Sequence, residues 1–240
     1  SMIFITLILS RASVERIIEV FDEEVDVADN ENGLTSVSDG SIEFKDVNFS
    51  YSKDKENLTL ENINLSIKSG ETIGIIGGTG SSKTTLVQLI PRLYDVLSGE
   101  VLVGGKNVKE YTLDALRNSV AMVLQKNVLF SGTIKENLKW GDANATDEEI
   151  YEACKAAQAH DFIMSFPDGY ETDLGQGGVN VSGGQKQRLC IARALLKKPA
   201  IVILDDSTSA VDTATDSKIR QAFREKLADT TTIIIAQRIS

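Results

Sequence analysis

The chain has 240 residues, with 35 acidic and 25 basic side chains and a formal net charge of −10. This length suffices for one large domain, and the acidic balance argues against a broad nucleic-acid surface, so no nucleic-acid partner is expected. The two cysteines, Cys154 and Cys190, are too few for a disulfide framework and are expected to pack as small apolar side chains.

The N-terminal residues 2–9 are apolar, but they are far fewer than the ~20 residues that span a bilayer. They also lack the basic start of a secretory signal. We interpret them either as a buried segment or as the last two turns of a transmembrane helix. The following residues place Val14, Ile17, Ile18 and Phe21 on one helical face.

Residues 42–67 alternate apolar and polar side chains in the manner of two half-buried strands. The first alternates at Ile42 and Phe44 and again at Phe49 and Tyr51, which indicates a strand with a slip between the two pairs. Such strands predict a small antiparallel sheet.

Four later runs are continuously apolar, as expected of strands that are covered on both faces. They are residues 72–77, 120–124, 201–204 and 231–236. Because helical stretches separate these runs, we expect an α/β core with a parallel sheet.

The segment from Gln125 to Gln185 is predicted to be mainly helical. Thr146 and Glu149 have the spacing of a capping box at a helix start. The single tryptophan, Trp140, and the single histidine, His160, are interpreted as packing or surface residues rather than catalytic groups.

The stretch "GGTGSSKTT" follows one apolar run and approximates the phosphate-loop pattern G-x-x-x-x-G-K-[ST]. Its backbone N–H groups are expected to surround a phosphate, with the dipole of the following helix in support. The lysine would reach the β- and γ-phosphates, and the threonine after it would ligate Mg²⁺. An ordinary glycine turn is the alternative. The predicted nucleotide-binding residues of this loop are Gly77, Gly78, Thr79, Gly80, Ser81, Ser82, Lys83, Thr84 and Thr85.

Ser82 departs from the pattern, which has glycine immediately before the lysine. A Cβ atom at this position crowds the loop and restricts its dihedral angles. We therefore predict weaker nucleotide binding than glycine would allow.

The apolar run at 201–204 ends in two acids, Asp205 and Asp206, as in a Walker B segment. Asp205 could hold Mg²⁺, and Asp206 could orient an attacking water. Adjacent acids at a strand end also occur as simple turn residues.

The stretch "VSGGQKQRLCIARALLKKPAIVILDDSTSAVD", residues 181–212, resembles the signature, Walker B and D-loop of the ATP-binding cassette (ABC) family. The resemblance covers about residues 41–240. It implies a P-loop NTPase core with a mostly parallel sheet, an antiparallel β-subdomain and an inserted α-helical subdomain. Residues 172–180 resemble the exporter loop that contacts the transmembrane part, and residues 209–212 resemble the D-loop.

The resemblance also implies roles for single residues. Tyr51 matches the aromatic residue that stacks on adenine, and Gln125 matches the glutamine that contacts Mg²⁺ and the membrane domain. In this family two cassettes pair head to tail, with ATP between one phosphate loop and the signature of the other chain. The signature residues Ser182, Gly183, Gly184 and Gln185 would thus serve the ATP of a partner cassette. The expected ligands are ATP and Mg²⁺, and the implied catalytic residues are Gln125, Asp206 and Gln237.

Two positions depart from the family pattern. Asp206 stands where a catalytic glutamate is usual, and Gln237 stands where a histidine is usual. Two such losses resemble the degenerate half of a bacterial heterodimeric multidrug-type exporter, with slow hydrolysis at its own site. The partner would then be a different cassette.

The implied organisation has three parts: the end of a transmembrane helix and a connecting helix (1–24), a polar linker (25–40) and the cassette (41–240). Its helical subdomain is expected at about 126–188, and its C-terminal part is expected to be missing. The full protein would have a transmembrane domain upstream, with this part at the cytoplasmic face of the cell membrane. Two alternatives stay open: a catalytically weak nucleotide-binding regulator, and a soluble ABC ATPase of DNA repair or translation. The transported substrate is left open.

Overall fold

The structure is a computed structural model that describes residues 2–205, 213–226 and 228–236. In these ranges the chain forms eight α-helices and eight β-strands. The helices are α1 (Met2–Phe21), α2 (Lys83–Gln88), α3 (Leu113–Ser119), α4 (Ile134–Lys139), α5 (Asp147–Ala156), α6 (His160–Met164), α7 (Gly183–Leu196) and α8 (Thr213–Lys226). The strands are β1 (Ile42–Phe49), β2 (Leu60–Ile67), β3 (Thr72–Ile76), β4 (Ser98–Val103), β5 (Lys106–Asn107), β6 (Val120–Val123), β7 (Ile201–Asp205) and β8 (Thr231–Ala236).

The strands form two four-stranded sheets. One is antiparallel with the order β2-β1-β4-β5, and the other is parallel with the order β3-β8-β7-β6. Helices α4 to α7 lie between β6 and β7 in the chain. The predicted α/β fold, with a parallel core sheet, an antiparallel sheet and an inserted helical part, is confirmed.

The slip predicted in the first strand is present in β1. Phe44 and Val47 are both buried although three positions separate them, and the pairing with β2 shifts its register between them. Asp46 has a φ of 48° inside this irregularity. The irregularity returns Val47 and Phe49 to the buried face, which an unbroken alternation would not do. Tyr51 lies beyond the strand and is exposed.

The expectation of burial on both faces is confirmed for β7 and wrong for β3. In β7, Val202 and Leu204 pack into the core on the side of the inserted helices, whereas Ile201 and Ile203 pack into the core on the side of the antiparallel sheet. Within the described ranges, β3 lies at one edge of the parallel sheet, next to β8. Its alternate residues are exposed, and Ile76 is 57% exposed, so an apolar run alone did not identify a doubly covered strand.

Three of the inserted helices, α4, α5 and α7, begin at side-chain caps. The capping box predicted at Thr146 and Glu149 is present at α5, where each side chain accepts a hydrogen bond from the other residue's backbone N–H. Both cysteines are buried and free, as expected, and burial raises the pKa of Cys154 to about 12. The His160 ring nitrogen Nδ1 lies at a hydrogen-bond distance of 2.9 Å from the Tyr170 hydroxyl.

The N-terminal helix and the segment after it differ in how they contact the rest of the chain. The apolar face predicted for α1 is exposed; Ile17, for example, is 55% exposed. Ile5 is 59% exposed, which does not agree with a buried segment. Within the described ranges, none of the helices is both long and apolar enough to cross a membrane. Residues 25–40 are irregular but attached, since Asp29 accepts a hydrogen bond from the N–H of Leu113 at 2.7 Å and Leu34 forms a bridge with Tyr111.

Candidate functional site: a phosphate-loop cleft

The loop at residues 77–82 connects the end of β3 to the start of α2. Gly80 has a φ of 82°, a conformation that favours glycine. A Cβ atom at Gly77 would lie 2.7 Å from the Ser81 hydroxyl oxygen, so the loop is also tight at its start. Gly77 and Gly80 therefore meet a local requirement of this turn.

Ser82 is the residue immediately before α2, and it has the left-handed angles φ 58° and ψ 20°. A residue with a side chain in this conformation costs about 1–2 kcal/mol relative to the right-handed one. The restriction of backbone angles that the sequence predicts at Ser82 is therefore present in the folded loop.

Lys83 has its ammonium group inside the loop. Its Nζ donates to the carbonyl oxygens of Gly77 at 2.6 Å and Gly78 at 2.8 Å, and to the Ser81 hydroxyl at 3.1 Å. These contacts hold the ammonium group at the loop, where its positive charge is available to an anion such as a phosphate.

Thr84 and Asp205 are 121 positions apart in the sequence and are in contact in the fold. The Thr84 hydroxyl donates to the Asp205 carboxylate at 2.7 Å, and Asp205 is only 7% exposed at the end of β7. Gln125 follows β6, the neighbour of β7, and lines the same cleft. Threonine, aspartate and glutamine supply hard oxygen atoms, which suit Mg²⁺. Among the described residues there is no cluster of three or more His, Cys, Asp or Glu side chains that could hold a metal. Mg²⁺ with phosphates fits this pattern because it uses few protein ligands and keeps several waters.

Tyr51 closes the cleft from the side of the antiparallel sheet. Its hydroxyl lies 2.9 Å from the Thr85 hydroxyl, and the residue is 51% exposed. The cleft has a volume of about 390 Å³. It is lined by Tyr51, Thr59, Thr79, Gly80, Ser81, Ser82, Lys83, Thr84, Thr85, Gln125, Asp205 and Ile235.

Thr59 and Ile235 are lining residues that the sequence analysis missed. Each belongs to a stretch with a strand pattern and no motif of its own, so neither position had a signal of function. Thr59 immediately precedes β2 and Ile235 lies within β8, so these two strands place them at the cleft.

The signature turn lies at a different place. Ser182 is the N-cap of α7: its side chain accepts from the N–H of Gln185, and its own N–H donates to the Gln185 side chain at 2.8 Å. Ser182 and Gly183 are exposed, and a Cβ atom added at Gly183 would meet no atom within 4 Å. Of the residues known to line the phosphate-loop cleft, none comes from the signature at 182–185.

The structure thus divides the predicted site residues into two groups. One group surrounds the cleft, where Gly77 and Gly78 take part through their carbonyl groups, and the other is the turn at 182–185. Asp206, Gln237 and the D-loop residues 209–212 lie outside the described residues.

Comparison with known proteins identifies the family. The sequence profile described as "ABC transporter" matches residues 60–209. YgaD of Bacillus subtilis (strain 168), whose name assigns it to multidrug export ATP-binding/permease proteins, is 48% identical over 236 residues, which are 98% of this chain and 40% of YgaD. A protein with the same kind of name from Staphylococcus aureus (strain NCTC 8325 / PS 47) is 47% identical over 93% of this chain and 39% of its own length.

A solved structure of a bacterial Atm1-family ABC exporter with ATP bound superposes with a TM-score of 0.90 at 34% identity, over 99% of this chain and 41% of the exporter chain. The chain therefore spans about 40% of the length of the relatives that it matches. On its sequence and its fold, this chain belongs to the ABC transporter family and is an ATP-binding domain of the ABC ATPase type.

Proposed function

We propose that this chain is the ATP-binding and ATP-hydrolysing part of an exporter subunit, and that it works as one of two cassettes that close on ATP. The observation that supports this most directly is the cleft in which Lys83 lies beside the bonded pair of Thr84 and Asp205. A cation and a pair of oxygen ligands in one cleft match the charge of a nucleotide phosphate chain with its Mg²⁺.

In the proposed complex the backbone N–H groups of residues 77–82 and the Lys83 ammonium bind the phosphates. Thr84, Gln125 and Asp205 supply oxygen atoms for Mg²⁺, which neutralises phosphate charge. Tyr51 provides a ring for the adenine base. Because Lys83 is bonded to the carbonyl groups of Gly77 and Gly78, it has to exchange these bonds for phosphate oxygens. The contribution of Lys83 to nucleotide affinity is then the difference in free energy between its bonds to phosphate and the bonds to carbonyl groups that it loses.

The proposed second cassette accounts for the position of the signature. Ser182 and Gly183 begin a helix of 14 residues and are exposed, while the cleft of the same chain is lined by other residues. Backbone N–H groups at the start of such a helix favour an anion. In the proposed assembly that anion is the γ-phosphate of ATP bound to the partner cassette.

The two departures from the family pattern support slow hydrolysis at this chain's own site. The carboxylate of Asp206 is one methylene shorter than that of glutamate, and a displacement of about 1 Å at a group that orients water can cost about a hundredfold in rate. Gln237 cannot become a cation as histidine does. We therefore propose a heterodimer in which this chain's signature serves the faster site, on the partner.

The rest of the proposal concerns the whole protein. Relatives with export and permease names are about 2.5 times as long as this chain, since the chain covers 40% of YgaD. We propose that the protein has a transmembrane domain before residue 25, with the cassette (41–240) on the cytoplasmic side. The exposed apolar face of α1 is consistent with a position next to that domain.

The test uses the assembled transporter with its partner subunit and measures steady-state ATP hydrolysis. A Gly183→Asp substitution is suited to it because this position has room for a side chain in its own fold. We expect the substitution to reduce hydrolysis more than tenfold by placing a negative charge against the partner's γ-phosphate. Gly183→Ala is the matched control for added bulk, and thermal unfolding of the chain should change little in either variant.

The own-site variant Lys83→Met distinguishes the asymmetric pair from a symmetric one. It should lower hydrolysis much less than Gly183→Asp does. Equal losses would refute the degenerate site, and full activity in Gly183→Asp would refute the role of the signature in a partner's site. An assembled pair that binds ATP without hydrolysing it would support the regulator alternative.

A further inference from the structure

Three aromatic rings lie together beside the cleft, and we call Phe49, Tyr51 and Tyr94 the aromatic trio. The Tyr51 ring is edge-to-face with Phe49, at 4.9 Å between centroids and 81° between planes. It is also edge-to-face with Tyr94, at 5.1 Å and 90°. Phe49 and Tyr94 are 5.7 Å apart, so the three rings contact one another.

Tyr51 is held at its hydroxyl end as well. The hydroxyl lies 2.9 Å from that of Thr85 and donates to the Gln88 side chain at 3.4 Å, so this end is attached to α2. The ring contacts and these bonds together restrict the plane of the Tyr51 ring, while 51% of the residue stays exposed. A preorganised ring loses less conformational entropy when a flat ligand stacks on it.

Tyr94 is presented by a rigid turn at the exit of α2. The Arg92 guanidinium makes two hydrogen bonds to Asp95, at 2.8 and 3.1 Å, and Arg92 is only 6% exposed. Arg117 donates to the Arg92 carbonyl at 3.1 Å, which attaches the turn to α3. Tyr94 is thus fixed in the turn that follows α2, the helix that begins with Lys83, although Tyr94 is not among the described residues that line the cleft.

We infer that Tyr94 is a positioning residue for the nucleotide base: it sets the plane of the Tyr51 ring and does not itself touch the nucleotide. This rests on the proposed stacking of adenine on Tyr51. Because Tyr94 would orient only the Tyr51 ring, its loss should weaken binding of the base and leave binding of the phosphates to the loop unchanged.

The test compares Mg²⁺-ATP with Mg²⁺-tripolyphosphate, which has the phosphates without a base, by titration calorimetry on the 240-residue chain. We expect Tyr94→Leu to weaken ATP binding about threefold to tenfold, the range of one edge-to-face pair, and to change tripolyphosphate binding less than about twofold. Tyr94→Phe should restore ATP binding, because the ring makes the contact. Tyr94→Met is a second variant that fills the space with a flexible side chain, in case the leucine variant does not fold.

The matched control is Tyr151→Leu. Tyr151 is 37% exposed and lies 4.7 Å from the Tyr170 ring, in the inserted helices, so its loss should affect neither ligand. Equal weakening of ATP and tripolyphosphate in Tyr94→Leu would overturn the inference, because the effect would then act on the loop. No effect on either ligand would overturn it too.

Tyr51→Leu separates this inference from the proposed function. If Tyr51→Leu weakens binding of ATP but not of tripolyphosphate, and Tyr94→Leu weakens neither, stacking of the base on Tyr51 is supported and the role of Tyr94 is refuted. If Tyr51→Leu leaves the ratio of the two affinities unchanged, stacking on Tyr51 is refuted, and the role of Tyr94 falls with it.

Discussion

Replacing Ser82 with glycine tests how much the left-handed backbone before α2 matters for nucleotide binding. Ser82 has a φ of 58°, and a side chain in this conformation costs about 1–2 kcal/mol. Glycine removes this cost, but its greater conformational freedom in the unfolded chain lowers the free energy of unfolding by about 0.5–1 kcal/mol. We expect Ser82→Gly to raise the free energy of unfolding by roughly 0.5–1 kcal/mol, measured by urea denaturation.

The effect on ATP affinity follows from the same geometry. If only the nucleotide-bound loop required the left-handed angles, removing 1–2 kcal/mol of strain would tighten binding about five- to thirtyfold. Because the loop already has these angles in this structure, most of the strain does not depend on nucleotide. We therefore expect a gain of about twofold to fivefold in ATP affinity, mainly from removing the Cβ atom beside the phosphates.

The matched control is Gln158→Gly. Gln158 has a φ of 55° in the turn between α5 and α6, so glycine relieves comparable strain away from the cleft. This control should gain stability and keep the parent's ATP affinity. Equal or weaker ATP binding in Ser82→Gly would refute the reasoning.

Three further predictions concern Mg²⁺, a helix cap and a thiol. Asp205→Asn should reduce the enhancement of ATP affinity by Mg²⁺ at least tenfold, because the side chain facing Thr84 loses its charge. The enhancement is measured by titrating ATP with and without the metal, and an unchanged enhancement would exclude Asp205 from the metal site. Thr146→Ala should lower the free energy of unfolding by about 1 kcal/mol, because α5 loses its N-cap. Its ATP affinity should stay the same as that of the parent. Burial raises the pKa of Cys154 to about 12, so at pH 8 its thiol is protonated in the folded chain and should resist a thiol reagent until denaturant is added; labelling of the folded chain at pH 8 would contradict this.

Much of the fold could be predicted from the sequence because its signals are local. The capping box at Thr146 and the slip within β1 depend on residues within a few positions of each other, and both are confirmed. The burial of β3 could not be predicted in this way. An apolar run indicates which residues form a strand, whereas the exposure of β3 depends on which elements pack against its two faces; β6, at the other edge of the described sheet, is mostly buried.

The same distinction applies to the cleft. The phosphate-loop residues follow from a contiguous motif, and the structure places them in one cleft together with Tyr51, Gln125 and Asp205. Thr59, which precedes β2, and Ile235, within β8, could not be found beforehand, because a residue in or beside a strand reaches a site only when the strands assemble.

The sequence by itself determined the chemistry that this chain can offer: a lysine and a threonine in a glycine loop, an acid after an apolar strand, and a Ser-Gly-Gly-Gln turn at a helix start. Only the tertiary structure decided which of these meet. The hydrogen bond between Thr84 and Asp205 joins positions 121 residues apart, while the exposed signature turn stays outside the cleft. The physical reason is that motif chemistry is set by neighbours along the chain, whereas the pairing of distant groups is set by the order of strands in the sheet.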